Sequence, residues 1–129
     1  MHTMKLARAA LVLALVMVGC TSGGHRSGVR DRNLITADEI AHVNANTAYE
    51  AVERLRPAFL TTRGANSIQD PTPITPVVYL DGLRYGPAVS MSTIPAMGIA
   101  SIQYLPPIEA GMRYGLGHEG GAILIVSKR

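Results

Sequence analysis

The sequence contains few of the cysteine and large aromatic residues that stabilise many small folds. Its 129 residues include one cysteine, one phenylalanine and no tryptophan. A lone cysteine cannot form an internal disulfide, which would otherwise be expected to brace a small exported domain. The length is that of one domain, since domains usually hold about 100–200 residues.

The sequence also lacks an apolar run long enough to span a bilayer, which takes about 20 residues. The N-terminal stretch "MHTMKLARAALVLALVMVGC" has Lys5 and Arg8, then a short apolar run over residues 9–18, then a small residue. This layout predicts a secretory signal peptide over residues 1–19. A buried first helix is the alternative, but the run has no polar residue that would make it amphipathic. Residues 20–33, with "TSGGHRSG", are predicted to be a flexible linker.

The only cysteine follows the apolar run directly. The stretch "VMVGC" resembles a bacterial lipobox, although Met17 and Val18 depart from its usual residues. The resemblance implies cleavage before Cys20 and acylation of that residue. Two or more acyl chains would anchor the protein stably to a membrane. Because Thr21 replaces the aspartate of inner-membrane retention signals, the resemblance implies the outer membrane.

Net charge is low once the signal is removed. Loss of Lys5 and Arg8 leaves 10 basic against 9 acidic residues, or +1. A nucleic-acid partner is therefore not expected, because such partners need a strong basic surface. Three arginines lie in the linker, where they could meet anionic lipid headgroups or only keep the tether solvated: Arg26, Arg30 and Arg32.

Motifs for enzymatic chemistry are missing. The sequence has no G-x-S-x-G or S-x-x-K. "HEGGA" begins like a zinc-binding H-E-x-x-H, but Ala122 stands where the second histidine belongs. The aspartate at position 81 needs no catalytic role, since Asp81-Gly82 is a typical hairpin-turn sequence. We expect a non-catalytic protein without a metal or cofactor.

The glycines near the C-terminus have the spacing of a nucleotide-binding loop. Gly115, Gly117 and Gly120 form G-x-G-x-x-G. Such a loop binds a pyrophosphate only where it opens a helix. Here the apolar, β-branched run 122–127 follows, so no nucleotide is expected. We interpret Gly82, Gly121 and these three glycines as structural.

Residues 34–129 have the pattern of one folded α+β domain. "TADE" is a capping box that starts a helix near residues 37–42, and a second amphipathic helix is predicted over residues 47–56. A helix-turn-helix DNA reader is disfavoured because Glu50 and Glu53 lie on the second helix. The helices are followed by a long loop (61–76), a hairpin around Asp81-Gly82 and a turn or helical fragment (92–96). After these come a strand (99–105), a helix from Pro107 and a last strand (122–127). The predicted domain therefore has two N-terminal helices and a short mixed β-sheet.

This order of elements resembles the plug domain of TonB-dependent outer-membrane receptors. The resemblance is carried by "VVYLDGLRYG", "IPAMGIASIQYL" and "RYGLGHEGGAILIVSK", and more weakly by the two helices. It implies that the glycines form a tight loop from a short helix into the final strand. Ala100 and Gln103 replace acidic residues that the family usually carries, and Pro106-Pro107 replaces a basic residue and glycine.

No series of barrel strands accompanies the plug-like part, so we do not expect the chain to form a pore by itself. The expected function is a periplasm-facing interaction module of the outer membrane that contacts an outer-membrane or periplasmic protein. The alternative is a plug supplied in trans to a separate barrel for nutrient uptake. Arginine and tyrosine often anchor interfaces, so the interaction candidates are Arg84, Tyr85, Arg113 and Tyr114. For Tyr79 and Tyr104, a role in the core is as well supported as a role in an interface.

Overall fold

The computed structural model describes residues 31–65, 68 and 73–129. The predicted signal peptide (1–19), the lipidation site Cys20 and most of the linker lie outside the described residues. Residues 31–33 of the linker already contact the fold, because the Tyr104 N–H donates to the Asn33 carbonyl at 2.8 Å.

The domain is α+β, as predicted. None of the helices in the part of the chain that the structure describes is long and apolar enough to cross a membrane. Single turns of 3₁₀ helix occupy Pro57–Leu60, Ala88–Thr93 and Ala96–Gly98. The regular elements are β1 (Leu34–Thr36), α1 (Ala37–His42), α2 (Ala48–Leu55), β2 (Arg63–Ala65), β3 (Pro73–Ile74), β4 (Val77–Leu80), β5 (Leu83–Pro87), β6 (Ile99–Leu105), α3 (Pro107–Tyr114) and β7 (Ala122–Ser127).

The main sheet is mixed and has five strands in the order β1-β6-β7-β4-β5. Strands β4 and β7 are parallel, and the other neighbours are antiparallel. The last strand therefore lies at the centre, which explains its continuous β-branched sequence and the burial of Ile123 and Ile125.

Local capping sets the helix starts. The Thr36 hydroxyl accepts from the Glu39 N–H at 3.4 Å, and Glu39 accepts in return from the Thr36 N–H at 3.1 Å. Thr47 caps α2 in the same way through the Glu50 N–H. The predicted range 47–56 was too long by one residue at each end, because Thr47 and Arg56 are caps with non-helical dihedral angles.

Two apolar clusters cover the two faces of the sheet. Alternation along β4 sends Val78 and Leu80 into the cluster with α1 and α2, and Val77 and Tyr79 into a smaller cluster with α3. The sheet is thus a middle layer with helices on both faces. This arrangement places α3 and the glycine loop that follows it on one face, apart from the N-terminal helices.

Short elements differ from the sequence-based expectation. The loop predicted over residues 61–76 is wrong in part, because β2 and β3 pair there as a separate two-stranded sheet. Strand β1 was not predicted at all. The turn or helical fragment predicted over 92–96 is present as two short 3₁₀ helices with other bounds, 88–93 and 96–98. Segments of two to six residues are too short to show a clear hydrophobic period.

Candidate interaction surface

A cluster of three rings lies between the sheet and α3. The Tyr79 and Tyr114 rings stack with centroids 4.2 Å apart and planes 16° from parallel. The His118 ring lies 5.6 Å from Tyr114. The guanidinium carbon of Arg113 lies 5.5 Å from the centre of the Tyr114 ring, within range of a cation–π contact. Tyr79 from β4 is thereby joined to α3 and to the loop after it.

Hydrogen bonds fix the orientation of His118, which is buried. Its Nδ1 lies 2.9 Å from the Gly115 carbonyl oxygen, and its Nε2 lies 2.9 Å from the Tyr79 hydroxyl. A carbonyl oxygen only accepts, so Nδ1 carries a proton and donates it. In the neutral ring Nε2 then accepts from the Tyr79 hydroxyl. The histidine considered from the sequence as half of a zinc motif is instead a structural link between β4 and the glycine loop.

The strand register divides the predicted interaction residues between two faces. Arg84 pairs directly with Tyr79, so the two side chains lie on the same face, the one that α3 covers. The register passes from Arg84 to Gly86 and leaves Tyr85 as a bulge. The Tyr85 hydroxyl lies 2.8 Å from the Thr93 hydroxyl, in a segment that packs with the opposite core.

Three of the four predicted interaction residues thus share one face. Arg84 and Arg113 are exposed, whereas Tyr114 is half-buried against Tyr79. Tyr85 is exposed on the other face. Tyr104, considered for both core and interface, stacks on Phe59 at 5.0 Å and donates its hydroxyl to the Gly120 carbonyl. Tyr104 therefore supports the core and the glycine loop.

The outer side of α3 is apolar. Ile108, Met112 and Leu116 follow each other at intervals of four residues, and they are 79%, 85% and 99% exposed. Ile108 and Met112 lie one turn apart on one side of α3, whereas Leu116 lies in the loop after the helix, beyond Gly115 with its non-helical φ of +86°. We call the exposed group Arg84, Ile108, Met112, Arg113 and Leu116 the α3 surface. A shallow hollow of about 250 Å³ between α3 and the glycine loop adjoins Ile108 and Leu116.

The glycine loop joins α3 to β7 and opens no helix. Gly115, Gly117 and Gly121 have positive φ angles. Gly120 does not, but a Cβ there would lie 2.5 Å from the Thr75 carbonyl oxygen. Glycine is therefore required at position 120 because another backbone segment lies too close for a Cβ. At Gly121 both the positive φ and the lack of space require glycine, since a Cβ would lie 2.6 Å from the Leu105 carbonyl oxygen.

The hairpin turn is tied to the end of the central strand. Asp81 and Gly82 both have positive φ, as a type I′ turn requires. The Asp81 carboxylate accepts from the Ser127 hydroxyl at 2.6 Å and from the Ser127 N–H at 2.9 Å. These bonds, the side-chain one first, hold the pKa of Asp81 below its ordinary value.

Within residues 31–65, 68 and 73–129, no group of three or more histidine, cysteine, aspartate or glutamate side chains is placed to hold a metal ion. The buried side-chain nitrogen and oxygen atoms of this part all have hydrogen-bond partners.

Comparison with known proteins gives a structural likeness. The sequence matches no protein-family model and no curated protein sequence. Among solved structures, the chain is similar to the siderophore receptor PirA from Pseudomonas aeruginosa, with a TM-score of 0.48 and 24% identity over 74% of this chain. The match covers 18% of the receptor, so this chain corresponds to a small part of that protein's length.

Proposed function

We propose that this protein is a non-catalytic lipoprotein of the outer membrane whose plug-like domain faces the periplasm and binds another protein. The observation that carries the proposal is the α3 surface. Ile108, Met112 and Leu116 project from it, and Arg84 and Arg113 lie on the same face of the sheet.

Physical chemistry favours a protein as the occupant of this surface. A surface helix normally turns its polar side to water, whereas the exposed Ile108 and Met112 on α3, with Leu116 in the loop after it, leave apolar area to be buried. Arginine is enriched at protein interfaces, where its planar head stacks on rings and binds carboxylates. Glu109 and Glu119 lie close in sequence to the apolar row, so the surface has no excess positive charge that would favour an anionic membrane.

The anchor is proposed from residues 1–20. If Cys20 becomes the acylated N-terminus, cells fed radiolabelled palmitate should label the wild-type protein and not Cys20→Ala. The variant should also leave the membrane fraction. Equal labelling and identical fractionation of the two proteins would exclude the lipoprotein proposal without bearing on the α3 surface.

The partner surface can be tested by photo-crosslinking in intact cells. A photoreactive amino acid at Met112 should give a crosslinked product with a specific protein. The same amino acid at Glu53, which is exposed on α2 on the opposite face, is the matched control and should not. Identical products from both positions, or none from Met112, would contradict the proposal.

A plug supplied in trans to a separate barrel is the second candidate. The three stretches that resemble receptor plugs fall on β4 and β5, on β6, and on the α3–β7 segment, which adjoin one another in the fold. Identification of the crosslinked protein separates the candidates, because a transmembrane barrel supports the plug and any other periplasmic or outer-membrane protein supports the interaction module.

A further inference from the structure

A groove among the described residues lies away from the α3 surface, beside the turn between α1 and α2. Its volume is about 460 Å³, within the range of roughly 300–1,000 Å³ typical of small-molecule sites. Ala37, Ala41 and Ala45 form one wall, and Ile40 and Ala96 are buried at its base. We call it the alanine groove.

Hydrogen bonds hold the two walls at a fixed separation. The Ala96 N–H donates to the Asn46 carbonyl at 3.0 Å, and the Ala48 N–H donates to the Ile94 carbonyl at 2.8 Å. These bonds tie the α1–α2 turn to the 3₁₀ segment. The Lys128 N–H donates to the Gly98 carbonyl at 2.8 Å and so places Lys128 at the rim. The groove is therefore built by backbone bonds and does not depend on side-chain packing alone.

Few polar residues line the alanine groove, and the charge among them is positive. Lys128 is the only charged residue that lines it, with the amides of Asn44 and Asn46 nearby. The Lys128 side chain makes no hydrogen bond or ion pair within the described residues. The acids of α1, Asp38 and Glu39, line a different hollow.

The lining selects a chemical class of ligand. The apolar residues are aliphatic and Met97 is 86% exposed at the edge, so the groove offers a flexible apolar cover and no ring for stacking. The lining offers one ammonium group and no second cation, so a carboxylate would be balanced there, whereas a doubly charged phosphate would keep one charge unpaired beside an apolar wall. We propose that the alanine groove binds a small aliphatic carboxylate, with its chain against the alanines and its carboxylate at Lys128.

The test uses the purified full chain and octanoate that carries a photoreactive diazirine at its far end. The label should attach to residues 37–46 or 96–97, and unlabelled octanoate should displace it. At about pH 8, octanol, which is uncharged, and octyl phosphate, which is there mainly a dianion, should displace it poorly. Labelling elsewhere, or equal competition by octanol or octyl phosphate, would overturn the proposal.

Variants test the two halves of the groove separately. Lys128→Gln should weaken octanoate binding by about tenfold, since a charge-assisted contact is lost, whereas Lys128→Arg should retain most of it. Arg129→Gln, at the neighbouring cation outside the groove, is the matched control and should have no effect. Ala41→Leu should reduce binding by filling the groove, with unchanged circular dichroism. Equal binding by Lys128→Gln and Arg129→Gln would also overturn the proposal.

Discussion

Glycine has two separate uses in this fold, and neighbouring residues show them. Gly117 has a φ of +88° but open space where a Cβ would be, whereas Gly120 lacks the positive φ and lies against the Thr75 carbonyl. Gly121 meets both conditions, and Gly98 meets neither. The four residues therefore allow backbone strain and steric overlap to be measured apart.

Alanine at each of the four glycines should give a graded loss in the free energy of unfolding. Gly98→Ala should change it by no more than about 0.5 kcal/mol. Gly117→Ala should cost about 1–2 kcal/mol from the left-handed backbone, and Gly120→Ala about 1–3 kcal/mol from overlap. Gly121→Ala should cost the most. Urea unfolding checks the series, and equal stability of the Gly98 and Gly120 variants would contradict the overlap argument.

Asp81 should make stability depend on pH. Its folded-state pKa is depressed by the Ser127 bonds below the ordinary value of 3.8. The stabilisation is therefore present above pH 3.8 and is lost as pH falls through the lower folded-state pKa. We expect Asp81→Asn to melt below the wild type at pH 7, with the gap closing below pH 3.8. Ser127→Ala should show the same closing gap, and a gap independent of pH would exclude this origin.

At the scale of elements, local signals determined what could be predicted. The capping threonines and the Asp-Gly turn act within four residues, so the starts of α1 and α2 and the β4–β5 hairpin follow from the sequence. Strands β1, β2 and β3 have two or three residues and depend on partners distant in sequence. Their formation is decided by tertiary pairing, which a single sequence does not display.

The link between α3, the glycine loop and β4 should depend on one buried hydroxyl. Tyr79→Phe would remove the donor to His118 Nε2 and leave that buried nitrogen without a partner. We expect a loss of about 1–3 kcal/mol in the free energy of unfolding. Tyr85→Phe is the matched control, because its hydroxyl bond to Thr93 is exposed and its loss should cost about 0.5 kcal/mol or less. Equal effects in denaturant titrations would contradict a special role for the buried pair.

For the whole molecule, the candidate surface was predictable in composition and not in arrangement. Arginine and tyrosine near turns indicated interaction residues, yet neighbouring strand residues face opposite sides, and only the register with β4 shows that Arg84 lies on the Tyr79 face and Tyr85 on the other. The contact of Tyr79 with His118 joins residues 39 positions apart. The spacing of four places Ile108 and Met112 on one side of α3, but the sequence alone does not tell which side of so short a helix is buried.

The two faces can be compared by pairs of alanine substitutions in the full chain. Arg84→Ala with Arg113→Ala changes only the α3 face, and Tyr85→Ala with Val89→Ala removes two exposed side chains from the β5 strand and the 3₁₀ segment after it. Interface anchors commonly contribute 2 kcal/mol or more. We therefore expect the arginine pair to lower recovery of the crosslinked partner by at least about tenfold in a pull-down, and the second pair to leave it near the wild-type level. Circular dichroism should show both variants folded. Full recovery with the arginine variant, or a greater loss with the second pair, would assign partner binding to the other face of the sheet.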